Sequence, residues 1–187
     1  MSYITTGSGI HFDPMEPDKN LIEIKDIAHS LSLMCRANGH FREFYSVAQH
    51  SLACALEAEY RGYSERVIMG CLLHDASEAY LSDITRPVKA YLDFYMEVED
   101  RLQDVIWKKY MGSCPDAEER KQIFEIDDQM LSMEFHQLMP EDVNDDYRHL
   151  ERKLSCIYED PGLVEKEYLD MFDRLQSEFM CIVKKDF

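Results

Sequence analysis

Apolar residues recur every three or four positions along most of this chain, the period of an amphipathic helix. From Asp26, a candidate N-cap, the residues Ile27, Leu31, Met34 and Cys35 mark a first helix that should stop near Asn38-Gly39. Ser46 and Gln49 form a capping-box pattern opening a second helix, which runs to about Arg61-Gly62. Ser64 caps the next, where Val67, Ile68, Cys71 and Leu72 hold one face up to His74. Residues 82–89 break the pattern, since Pro87 sits badly inside a helix and restricts Arg86 to extended geometry. A long helix over 89–111 follows, apolar through Leu92, Tyr95, Met96, Val98, Leu102, Val105 and Ile106. After a turn at Gly112–Asp116, another runs to about Met139, before Pro140. The acidic run from Glu141 to Asp146 reads as a solvated loop, and a helix over 161–180 closes the chain. Residues 3–12 alone are β-prone, around a Gly7-Ser8-Gly9 turn signal, and predict a short hairpin. The expected fold is all-α: a bundle of about six helices with a small N-terminal hairpin, one domain over residues 1–187.

One helix face carries the wrong residues. On a helix continuing past Leu73, Glu78 lies one turn beyond both His74 and Asp75, so three ionisable groups share a face where an apolar stripe should continue. Buried charge is costly unless it is paired or bound to metal. A divalent cation is the expected compensation.

Composition narrows the partners. A formal net charge of −17 over 187 residues repels polyanions, so a long nucleic acid or an anionic membrane surface is disfavoured. No apolar run approaches the ~20 residues that span a bilayer. Six scattered cysteines without a CxxC pair, and no signal-peptide pattern, point to a reduced, cytoplasmic setting. Against this acidic background Arg36, His40 and Arg42 cluster, and Arg86 and Lys89 flank the break at 82–89. Such local positive charge suits a small anionic substrate.

The remaining candidate ligands are His50, near the start of the second helix, and an acid in Ile126-Asp127-Asp128. Two imidazoles and two carboxylates suit one divalent ion such as Mn, Co, Fe, Ni or Zn, with Mg also in range, and leave positions for water or substrate. Periodicity does not decide between Asp127 and Asp128: Phe124, Leu131 and Phe135 favour one, while Ile123 and Met130 favour the other.

The set Tyr45-Ser46-Val47-Ala48-Gln49-His50-Ser51, Leu73-His74-Asp75-Ala76-Ser77-Glu78, Asp83 with Pro87-Val88-Lys89, and Asp127 with Glu134 and Leu138-Met139-Pro140 resembles the HD-domain phosphohydrolases. The likeness covers roughly residues 3–140 and is strongest to the 5′-deoxynucleotidase-like branch, with its phage and prophage members. It implies metal ligation by His50, His74, Asp75 and Asp127, the last chosen by its spacing to Glu134 and the Leu-Met-Pro ending. Glu78 becomes the general acid/base or, alternatively, a group orienting a ligand. Arg36 resembles the family's phosphate-binding arginine, followed here by Ala37 rather than the Trp of the best-known members. Asp83 resembles a sugar contact, and Lys89 and His40 are further substrate candidates.

The expected activity is metal-dependent removal of the 5′-phosphate from (deoxy)nucleoside monophosphates. Release of triphosphate from deoxynucleoside triphosphates is the alternative, and a non-catalytic, metal-stabilised nucleotide-binding protein the second. The amphipathic helices at 89–111 and the C terminus also lead us to expect a homodimer or higher homo-oligomer.

Overall fold

A computed structural model describes residues 3–139, 150–152 and 154–183 of the chain. Strands β1 (Ile4–Thr5) and β2 (His11–Phe12) pair antiparallel, Ile4 opposite Phe12 and Thr5 opposite His11. The hairpin turn is pinned from outside. Ser8 donates its backbone N–H and hydroxyl to the Asp26 carboxylate, at 2.7 and 2.6 Å. Asp26 is therefore not a cap: helix α1 spans Ile24–Leu33, with Glu23 at the N-cap and Asp26 buried in the first turn.

Helix α1 also ends earlier than the Asn38-Gly39 pair suggests. Val47 N–H donates to Met34 O, Arg36 N–H donates to Tyr45 O, and Cys35 bridges Ser46, so backbone pairing replaces the next helical turn. A 3-10 turn over Arg36–Gly39 follows, with Ala37 and Asn38 both at φ 51°. This reversal leaves Arg36 buried beside the later helices. Helix α2 (Val47–Tyr60) has the full capping box, Ser46 and Gln49 each bonding the other's backbone, and ends at Arg61 before Gly62. Helix α3 (Glu65–Leu73) is capped by Ser64.

Helix α3 does not run on to Glu78. The carbonyls that would receive the next turn are taken by side chains: Cys71 O by His74 Nδ1 at 2.7 Å, Leu72 O by the Tyr168 hydroxyl at 2.7 Å, and Leu73 O by Gln103 Nε2 at 2.8 Å. Gln103 Oε1 then accepts from Ser77 N at 3.1 Å. Helix-end carbonyls need partners, and here they are supplied from the next helices. Residues 74–77 form a turn, and the four-residue helix α4 (Glu78–Leu81) restarts the winding.

A single turn, α5 (Arg86–Lys89), interrupts the break at 82–89, with Pro87 in its first turn. There the missing N–H has no partner to lose, so proline is tolerated and Arg86 is helical rather than extended. Helix α6 (Asp93–Met111) starts four residues later than the apolar pattern suggests and buries Val98, Leu102, Gln103, Ile106 and Trp107. Leu92 and Met96, expected on that face, are exposed. Helix α7 (Ala117–Leu138) opens with a second capping box, Asp116 with Glu119. Helix α8 is Pro161–Val183.

Among the described residues the fold is all-α, six helices of nine residues or more plus the hairpin. The buried apolar side chains form one contiguous core. Helices α2 and α3 pack on each other at its centre, α3 lies against α7, and α1 lies against α8. Gly70 on α3 faces the Ile123 side chain of α7, so a Cβ there would clash with the Ile123 side-chain end and make it shift. The acidic run 141–146, Pro140 and His149 lie outside the described residues. Cys54, Cys71 and Cys156 are buried free thiols, whereas Cys35 is exposed. No helix among the described residues is long and apolar enough to cross a membrane.

Gln103 closes the end of α3 from both sides of the turn. Gln103→Leu should lower stability by about 1–3 kcal/mol, by leaving the Ser77 N–H buried without an acceptor. Urea unfolding should show a lower midpoint at unchanged slope; an unmoved midpoint would show that the cap is dispensable.

Candidate metal centre

The break after α3 brings His74 and Asp75 toward α2 and α7. His50 Nε2 lies 3.2 Å from His74 Nε2, 3.0 Å from Asp127 Oδ1 and 3.8 Å from Asp75 Oδ2. His74 Nε2 lies 3.3 Å from Asp75 Oδ2 and 3.7 Å from Asp127 Oδ1. Bonds of about 2.1 Å to a shared ion would set neighbouring ligand atoms about 3.0–3.5 Å apart, a range that holds the 3.0, 3.2 and 3.3 Å spacings, while the 3.7 and 3.8 Å pairs stand slightly wider.

The outer nitrogens say which atoms face inward. His50 Nδ1 donates to Glu134 Oε1 at 2.7 Å, and His74 Nδ1 donates to Cys71 O at 2.7 Å. A neutral imidazole that donates from Nδ1 presents a lone pair at Nε2. Two such lone pairs meet at 3.2 Å in a fully buried place, an arrangement that calls for a cation between them. Glu134, itself fully buried, also accepts from Arg36 Nε at 3.1 Å, and Arg36 Nη1 reaches Asp75 Oδ2 at 3.2 Å. Carboxylates that orient metal-ligating histidines in this way raise their basicity.

Without a cation, protons take its place. Burial by itself lowers the pKa values of His50 and His74, but neighbouring acidic groups outweigh it. Cys54, Glu134 and Asp127 hold His50 well above its usual range against burial and Arg36, and Asp75 and Asp127 raise His74. Burial likewise opposes ionisation of Asp75 and Asp127, yet the two imidazoles keep both carboxyls below their ordinary values. The four groups thus attract positive charge jointly.

His50, Cys54 and His74 form a buried group able to hold a metal ion. Cys54 Sγ stands 3.6 Å from His50 Nε2, and burial pushes its thiol up to about 11. Asp127 Oδ1, 3.0 Å from His50 Nε2, and Asp75 Oδ2, 3.3 Å from His74 Nε2, are further donors that are ionised without metal, whereas the Cys54 thiol would release its proton on binding.

A cavity of about 890 Å³ opens beside this cluster. Arg36, Asp83 and Lys89 line it together with His74, Asp75, Glu78 and Asp127. His40 does not: it is exposed and lies outside the lining. Asp128 turns to the surface, where Arg86 bridges it (2.6 Å) and Asp127 Oδ2 (2.8 Å). Glu78 is buried, its Oε2 has no hydrogen-bond partner, and its Oε1 lies 3.8 Å from Lys89 Nζ. Burial and the charges of Asp75 and Asp83 push its pKa well up, against Arg36 and Lys89. Lys89 is held by Glu99 at 2.7 Å.

Sequence reasoning named Glu134, two turns beyond Asp127 on the same face, and Arg86, a flanking cation, without their positioning roles, and it missed Gln103. Gln103 stands out as an amide between Leu102 and Ile106 on the buried face of α6. The Arg86 bridge had no local signal, because it depends on how α5 meets α7.

The chain is 43% identical over 110 residues to the uncharacterized protein YfdR of Escherichia coli (strain K12), covering 59% of each chain. It is 39% identical over 108 residues to the uncharacterized protein RCAP_rcc00048 of Rhodobacter capsulatus, covering 55% of each. The matches thus span little more than half the length of these curated relatives. No family model matches the chain.

Two outcomes test the centre. Glu134→Gln should weaken zinc binding about 10–100-fold in a chelator competition, by loosening His50. The raised pKa values of His50 and His74 help metal-free folding at low pH, and that help is lost as pH rises through the folded-state values. Metal takes only neutral imidazoles, so the zinc-induced rise in Tm should grow from about pH 6 to about pH 8. A rise that shrinks over that window would remove both histidines from the centre.

Proposed function

We propose that this chain is a metal-dependent phosphohydrolase of the HD-domain type, acting on nucleoside 5′-monophosphates. The observation that carries the reading is the pair of inward Nε2 atoms at 3.2 Å, flanked by Asp75 and Asp127 and open to a cavity that Glu78 lines. A divalent ion held by His50, His74, Asp75 and Asp127 would supply Lewis acidity toward a phosphoryl oxygen and acidify water.

The chain's own groups supply the rest. Glu78, with one carboxyl oxygen unpartnered and its proton retained by burial, can hand that proton to a departing ester oxygen. A site that used metal only for folding would have no need of an unpaired buried acid on the cavity wall, which argues against the non-catalytic reading. Arg36 is anchored by Glu134 and Asp75, so its guanidinium is a fixed cation for an anionic ligand. Asp83, half-buried on the same wall, is placed to accept from a sugar hydroxyl.

Charge favours the monophosphate. Five cations and seven carboxyl groups line the cavity, and with the Glu78 proton retained one divalent ion would leave the lining about one unit positive. Arg36, Arg86, Lys89 and Arg120 are each already paired with a carboxylate. Little positive charge is left for a triphosphate. Val88, Tyr91 and Phe94, exposed around the start of α6, support self-association of the chain.

Incubating the metal-loaded protein separately with dAMP and dATP should release inorganic phosphate from the first and no triphosphate from the second. Triphosphate release would select the other activity, and no product across a nucleotide and metal panel would remove both. Glu78→Gln should lower turnover about 10²–10⁴-fold while metal content stays full. Undiminished turnover would exclude Glu78 from proton transfer.

A further inference from the structure

Helix α7 runs along the cavity, and its lining positions extend well beyond the metal centre. Arg120, Phe124, Asp127, Leu131 and Phe135 all line the space, at intervals of three or four residues. With a rise of about 1.5 Å per residue, Arg120 stands about 10 Å from Asp127 along the helix, and Phe124 falls between them. That is the reach of a mononucleotide from its phosphate to its base.

The residues at this N-terminal end of α7 are built for a flat ring. Arg120 Cζ lies over the Trp107 ring, 4.6 Å from its centroid, a cation–π contact. Its position is fixed by Nε donating to Pro115 O at 3.1 Å and Nη2 donating to Asp104 Oδ1 at 3.3 Å. Trp107 is 2% exposed and belongs to the core, so it is a rigid backing for the arginine. Phe124, one helical turn on, is 46% exposed on the same wall. An exposed phenyl and an anchored guanidinium over the Trp107 ring offer two surfaces on which a base could stack, and stacking is tolerant of base identity. The opposite end of α7 offers less: Phe135 packs edge-on against the buried Phe41, ring centroids 5.5 Å apart.

We infer that Phe124 and Arg120, backed by Trp107, form the subsite for the planar heterocycle of the nucleotide. The inference rests on the nucleotide reading above and names the wall that would hold the base.

Trp107 is the chain's one tryptophan, so its emission reports on this wall alone. Metal-free protein titrated with deoxyadenosine or dAMP should change that emission saturably, and inorganic phosphate should not. Phe124→Ala should weaken the deoxyadenosine response about tenfold. In the metal-loaded protein, Phe124→Ala and Arg120→Met should each lower the kcat/KM ratio of dAMP to ribose 5-phosphate about tenfold. Emission untouched by dAMP in a protein that hydrolyses dAMP would overturn the subsite, as would a ratio that falls in Phe135→Ala but not in Phe124→Ala. Deoxyadenosine binding without turnover of any phosphate ester would keep the subsite and remove the catalytic reading instead.

Discussion

Two imidazole nitrogens 3.2 Å apart, each with its ring proton committed elsewhere, repel one another unless positive charge lies between them. Much of this fold is arranged around that contact. Holding it requires Glu134 at the outer nitrogen of His50, the Cys71 carbonyl at the outer nitrogen of His74, and the carboxylates of Asp75 and Asp127 close by. It also requires α3 and α7 to approach closely, which Gly70 permits opposite Ile123. Removing any single support would leave a buried charge or dipole unpaired, which costs more than the contact returns.

The end of α3 shows how local and tertiary demands meet. Continuing the helix would have satisfied its last carbonyls locally, yet the side chain of its own cap residue, His74, and two from other helices, Gln103 and Tyr168, take them over. In exchange, His74 turns its Nε2 inward, and the turn at 74–77 directs Asp75 onto the histidine pair while Glu78 stays on the cavity wall beside Lys89. On an unbroken helix the side chains of His74 and Glu78 would lie side by side one turn apart. The break separates ligand from acid.

This explains what the sequence could and could not convey. The capping box at Ser46, the cap at Ser64, the hairpin around Gly7–Gly9 and the helical apolar periodicity are local patterns, and the structure follows them. The misreadings share a cause: a distant partner displaced a local preference. Asp26 would cap α1 in isolation, but Ser8 of the hairpin claims its carboxylate. The end of α1 moved because Cys35 pairs with Ser46, and the end of α3 because Gln103 and Tyr168 reach it. At the candidate site, His50, His74, Asp75 and Asp127 were legible as residue types at motif spacing, and the structure brings their donor atoms together. His40 was chosen for charge and proximity in sequence, and the reversal at Ala37 and Asn38 leaves it on the surface.

Arg36 joins the two halves of the centre. Its guanidinium touches Asp75, a candidate ligand, and Glu134, the support of His50, so one cation stabilises both sides of the cluster. Burial works against its charge, but the surrounding acids hold the guanidinium protonated more firmly than in water. A cation neutralised twice over would be a weak anion binder by charge alone. With a divalent ion in place, Asp75 and the histidines give their electron density to the ion, and the pull of Asp75 on Arg36 lessens. The same occupancy that completes the ligand shell therefore frees positive potential on the cavity side of Arg36. On this argument a divalent ion at the centre and an anion beside Arg36 would bind with positive coupling, which would offset the repulsion of a chain of net charge −17.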